Sequence, residues 1–226
     1  MFKIIKKYLQ KESLLAQAYS ETETMLMTCQ EMYEETVRSL RYSDNAELKI
    51  DIYKKDKLIN RYQQEIRRKM MTHLSVSSQK EISTALVMTS IVIDVERIGD
   101  YTKNIEDLAI HHPQRLNVGQ YEETLKKLED EVKSKFESVT SAFTVYDIEA
   151  ASGVMDEHRS ITKQCDIILN ELVTQKFENI PSNDLVALAL FIRYLKRISA
   201  HLTNIVSSVV NPFEKIGFKK EDFDLD

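Results

Sequence analysis

Apolar residues recur along most of the chain at steps of three and four, the spacing of a helix with one buried face. Over residues 11–41, Leu15, Ala18, Met25, Cys29, Met32, Tyr33, Val37 and Leu40 hold this phase. The stretch "SDNAE" (43–47) breaks it. Asp44 is the expected N-cap of a second helix, with Glu47 three residues on, and that helix runs to about residue 74. "SVSSQKE" then supplies Ser78 and Glu81 at capping-box spacing for a third helix. This helix carries Ile82, Leu86, Val92, Val95, Ile98, Ile105 and Leu108 to near His111. Its β-branched run "MTSIVIDV" (88–95) could be a strand if read alone, but the cap and the length of the pattern make it helix.

"HHPQRLNVG" (111–119) reads as a linker, with a proline and a glycine. A fourth helix is predicted over 121–145, and a fifth, capped by Asp147, runs to about 176. A sixth opens within "NIPSND" (179–184) and ends at Asn211 and Pro212. The last residues, "KKEDFDLD", are polar, acidic and expected to fray.

Three helices, a linker and three helices point to a duplication. "DVERIGDYTKNI" begins at Asp94 and "YLKRISAHLTNI" at Tyr194, one hundred residues later. Arg97, Ile98, Asn104 and Ile105 recur as Arg197, Ile198, Asn204 and Ile205, each set in the third helix of its half. Tyr33 and Glu34 align with Phe136 and Glu137, and Asp44 with Asp147. The expected fold is all-α: two tandem three-helix up-and-down bundles related by a pseudo-twofold. The first spans 1–112, the second 119–213, and 214–226 is an acidic tail. Residues 1–10 form a short basic amphipathic segment with Phe2, Ile5, Tyr8 and Leu9 on one face. It is expected to dock on the bundle or on a partner rather than on an anionic membrane.

Composition fits long helices with few turns: 42% hydrophobic and 30% charged residues, with 4 glycines and 3 prolines. A formal net charge of −5 argues against a nucleic-acid partner. Cys29 and Cys165 lie far apart in helical patterns and read as free core thiols of a reducing compartment. No apolar run is long enough for a membrane span or a signal peptide, so a cytoplasmic location is expected.

The candidate chemistry lies on the second and third helices. Glu96 and Asp100 are four apart on one face, where like charges repel. Asp56 and Asn60 have the same spacing on the preceding helix. If the two helices pack antiparallel, three carboxylates and an amide oxygen face one another. Such hard ligands suit Mg, Ca, Mn or Fe. Ordinary ion pairing is the competing account, since Lys54, Lys55 and Lys57 surround Asp56. None of the five histidines follows a Glu by three residues, so a di-iron oxidase bundle is disfavoured. Zinc-protease, phosphate-loop and serine-elbow motifs are absent, and no catalytic residue is assigned. His111 and His112 are expected to act at a helix C-terminus.

"VERIGDYTKNI" (95–105) closely resembles the signature of the PhoU family, the phosphate-uptake regulators. "DIYKKDKLINRYQQEI" (51–66) is similar to the family's second-helix motif, and "RISAHLTNI" (197–205) resembles its second-half "RIGDHATNI". The resemblance implies metal ligation by Asp56, Glu96 and Asp100, with Asn60 where an acid is usual. The metal would be Fe, Mn, Mg or Zn, and no organic cofactor is implied. It also implies a non-enzymatic negative regulator and a homodimer. Its partners would be a phosphate transporter component, a sensor histidine kinase, or both, and it would reach the membrane through them. An accessory protein of a sodium–phosphate or other inorganic-phosphate transporter is one alternative, and a metal-binding bundle protein or enzyme is another. The second half departs from the pattern: Lys196 stands where Glu96 would repeat and Ala200 where Asp100 would. At Gly99 the counterpart is Ser199, also small, so a small residue is expected there for packing.

Overall fold

The computed structural model describes residues 13–76, 81–112 and 114–218. The amphipathic segment 1–10, Ser78 and the final "KKEDFDLD" lie outside the described residues. The helices are α1 (Leu14–Tyr42), α2 (Ile52–Val76), α3 (Ile82–His111), α4 (Glu122–Val145), α5 (Ile148–Thr174) and α6 (Ser182–Val210). Short 3-10 turns stand at Gly119–Tyr121 and Phe213–Lys215. "MTSIVIDV" is helical within α3, as its cap spacing and length predicted.

Among the described residues, three of the six helix starts are capped by a flanking side chain. Ser13 caps α1, its Oγ accepting from the Ala16 amide at 3.1 Å. Asp147 caps α5, with Oδ1 accepting from the Glu149 and Ala150 amides, each at 3.0 Å. The expected cap at Asp44 is not formed. Asn45 and Ala46 take positive φ, turning the chain away, and α2 begins eight residues later at Ile52. Asp51 does the capping instead, accepting from the Lys54 amide at 2.8 Å. Asp44 accepts from the Arg115 amide at 3.1 Å and so pins the inter-repeat linker. His111 acts at the end of α3 as expected, with Nδ1 2.6 Å from the Asp107 carbonyl. His112 is the C-cap residue, its amide donating to the Leu108 carbonyl at 2.9 Å, and its ring also reaches Asp184 near the start of α6, at 2.9 Å. Gly119 is left-handed at φ 51, and a Cβ there would come within 2.8 Å of Ile180.

Each trio of helices packs mutually. In the first half α1 contacts α2 and α3, and α2 contacts α3; α4, α5 and α6 do the same in the second. The halves meet through α1 on α4 and α3 on α6. The pseudo-twofold is visible in exchanged pairs. Tyr33 and Phe136, matched by sequence, touch each other with ring centroids 5.4 Å apart. Asp94 accepts from His201 at 2.7 Å, and the pair related by the hundred-residue offset, Tyr194 and Tyr101, are ring neighbours at 6.1 Å.

A buried polar knot locks the halves together. Arg41 at the end of α1 is fully buried, and its Nε donates to Glu129 Oε1 at 2.7 Å. Its other nitrogens reach the Leu116 carbonyl at 3.1 Å and Glu122 Oε1 at 3.0 Å. Tyr42 donates to the second Glu129 oxygen at 2.7 Å, and Tyr33 donates to the Glu129 carbonyl at 2.9 Å. Past α6 the chain folds back: the Gly217 amide donates to Ser207 Oγ at 2.8 Å, and Asn211 donates to the Lys215 and Phe218 carbonyls. Among the described residues no helix is long and apolar enough to cross a membrane.

Candidate functional site

Helices α2 and α3 run antiparallel, as the facing-acid reading requires. Tyr53 bonds Asp107 at one end of their seam, Ile59 lies on Gly99 in the middle, and His73 meets Glu81 at the other. Gly99 is what lets them close. A Cβ there would stand 3.2 Å from Ile59 Cδ1, 3.6 Å from Ile59 Cγ2 and 3.9 Å from Cys29 Sγ. Cys29 and Cys165 are both free and buried, in keeping with their expected core role. Cys29 adds a donor to the Val95 carbonyl at 3.4 Å.

The close approach brings Asp56, Asn60, Glu96 and Asp100 to one stretch of the seam. Asp56 is buried, at 7% exposure. Its Oδ2 accepts from Lys103 Nζ at 3.1 Å and from Asn60 Nδ2 at 3.3 Å. The same Lys103 nitrogen lies 3.5 Å from Asp100 Oδ1. Arg97 covers the other Asp100 oxygen at 3.0 Å and stands 3.8 Å from Glu96 Oε2. Burial, and then the neighbouring Asp100, pushes the Glu96 carboxyl above its ordinary range, with Arg97 pulling the other way. For Lys103, burial works against the ammonium, yet the hydrogen bond and charge of Asp56, followed by Asp100, raise its pKa overall.

This arrangement does not fit a metal ion. A cation needs oxygen lone pairs turned toward one point. Here Asp56 Oδ2 and both Asp100 oxygens are engaged by N–H donors, and Asn60 directs its amide nitrogen, not its oxygen, at Asp56. Among the described residues no group of three or more His, Cys, Asp or Glu side chains is placed to hold a metal. The four predicted residues therefore come together, but around a lysine.

In the second half the equivalent seam has different chemistry. Lys196, in the place of Glu96, pairs with Asp166 on α5. His158 and Thr162, the counterparts of Asp56 and Asn60, bond each other at 3.2 Å, and His158 Nδ1 meets Ser199 Oγ at 3.0 Å. Ser199 is fully buried, as a small packing residue should be, but its hydroxyl is also in use. Lys135 of α4 donates to it at 3.1 Å and to Thr203 Oγ1 at 2.8 Å. Lys135 has no exposed surface, and burial pulls its pKa from 10.5 down to about 7 against the opposing charge of exposed Glu157.

Lys103, Lys135 and the Arg41–Glu129 pair were absent from the sequence-based site. The signal was phase. Lys135 lies three after Val132 and four before Val139, in an apolar stripe that a solvated lysine would not join.

Two three-helix units matched position for position, tied across a pseudo-twofold and charged along each seam, define a duplicated helical-bundle protein. The sequence profile described as the PhoU domain matches twice, at residues 22–109 and 125–209, so the chain belongs to the PhoU domain family. The phosphate-specific transport system accessory protein PhoU homolog of Pseudomonas putida is 29% identical over 120 residues. That match covers 53% of this chain and about half, 47%, of the relative's length. The crystal structure of PhoU from Pseudomonas aeruginosa superimposes with a TM-score of 0.79 at 22% identity, covering 88% of this chain and 97% of that one. The phosphate transport system regulatory protein PhoU from Streptococcus pneumoniae gives 0.76 at 17% identity, over 86% and 92%. The structural likenesses bear on the fold.

Proposed function

We propose that this chain is a non-enzymatic, cytoplasmic regulator of phosphate transport that acts by binding protein partners. What carries the reading is the pair of PhoU domain matches, one in each half, filling most of the chain. The name borne by the Pseudomonas putida relative points the same way. The partners we assign are a component of a phosphate transporter, a sensor histidine kinase, or both, with a homodimer as the working form. The role is negative: the protein damps uptake signalling when phosphate is plentiful. A metal ion has no part in this reading, because the first-half acids already carry Lys103 and Arg97.

Affinity capture of the tagged protein from phosphate-replete cells, with and without crosslinking, tests it. Transporter or kinase components should be enriched over a tagged control. Capture of a sodium–phosphate permease would move the protein to that transporter. Recovery of none of these would overturn the proposal.

A further inference from the structure

We propose that Lys103 is the resident cation of the first repeat's carboxylate cluster, and that a divalent metal ion binds there only when this ammonium is removed. The inference goes beyond the partner-binding reading and does not rest on it.

Lys103 does what a bridging cation would do. Its Nζ spans Asp56 of α2 at 3.1 Å and Asp100 of α3 at 3.5 Å, so one positive charge ties both helices. Arg97 takes the outer oxygen of Asp100 and stands by Glu96. Three carboxylates are thus set against Lys103 and Arg97, and the charge of Arg67 also acts on Glu96. An incoming divalent ion would have to displace the ammonium from Asp56 and Asp100, or stand a few ångströms from a like charge in a partly buried seam. At such distances in a partly buried seam, like charges repel strongly and solvent screens them little.

The second repeat supports a cation supplied by the chain itself. At the position matching Lys103 it has Thr203, and Thr203 accepts from a lysine, Lys135 of α4, at 2.8 Å. Farther along the seam, Lys196 pairs with Asp166. Both repeats therefore place a lysine amine at this level of their third helix, though from different helices. The acids survive in the first half, where Lys103 neutralises them, and are replaced by Lys196 and Ala200 in the second.

Titration of the purified full chain with Mn(II), followed by calorimetry and by electron paramagnetic resonance of the bound ion, tests the idea. Lys103→Met keeps the apolar stem and removes the charge. It should bind one Mn(II) roughly tenfold or more tighter than the parent. Adding Asp100→Asn to Lys103→Met should abolish the gain. Parent protein that binds Mn(II) as tightly as Lys103→Met would overturn the proposal. So would a folded Lys103→Met that binds no better than the parent. If circular dichroism shows that Lys103→Met does not fold, Lys103→Thr, which copies residue 203, is titrated under the same criteria. Mn(II) affinity and partner capture are separate readouts, so failure of one inference leaves the other standing.

Discussion

Lys135 carries a cost that depends on pH. Its ammonium is fully buried and meets hydroxyls, with exposed Glu157 as the opposing charge. Its pKa is about 7 in the folded chain and near 10.5 when unfolded. Below pH 7 both states hold the proton and the burial penalty is fully present. Between about 7 and 10.5 the unfolded chain holds more protons, so this group makes stability rise with pH. Lys135→Met should therefore stabilise the protein by about 2 kcal/mol at pH 6, with the gain shrinking toward zero by pH 10, since the Ser199 and Thr203 hydroxyls keep His158 and the Ser199 carbonyl as partners. Urea unfolding of both proteins at the two pH values measures the difference. An equal difference at both would show that the amine is not titrating in this window.

At the scale of helices, Gly99 sets the α2–α3 distance. Gly99→Leu should destabilise the fold by about 1–3 kcal/mol, because the added atoms must push Ile59 and Cys29 aside. Thermal melts of metal-free proteins measure this, and equal melting would refute the packing role. The helices themselves were legible in the sequence because their apolar faces repeat faithfully. Gly99 was legible because its counterpart Ser199 is also small. The start of α2 was not. Asp44 has the right residue type and spacing for a cap, and only the positive φ of Asn45 and Ala46 shows that the chain turns away before Asp51 takes that role. The four acid and amide residues share one stretch of the α2–α3 seam, as expected from the sequence if the helices pack antiparallel. Four-residue spacing sets each pair on one face, and the register about Gly99 brings the two faces together. Their cation was missed because Lys103 is an ordinary-looking residue three after Asp100, and nothing in spacing says whether its amine turns to solvent or across the seam.

For the molecule as a whole, the Arg41–Glu129 pair joins the two repeats over 88 residues of sequence. Burial, with the Glu122 charge adding to it, holds the Glu129 carboxyl above its ordinary range, although Arg41 and Tyr42 pull the other way. Arg41→Ala would leave that carboxyl buried without its main partner, so a loss of about 3–5 kcal/mol is expected. Adding Glu129→Gln should recover part of the loss. A loss under about 1 kcal/mol in denaturant unfolding would show that the knot is not essential. The same pair bears on ancestry. Counting from the matched Tyr33 and Phe136, Arg41 corresponds to Thr144 and Glu129 to Leu26. Thr144 reaches Glu23 at 3.1 Å, while Leu26 is wholly buried. A gene encoding the first half twice would set a copy of Leu26 where Glu129 stands, and Arg41 would lose its buried carboxylate. The two halves, whatever they shared at the moment of duplication, are no longer interchangeable parts.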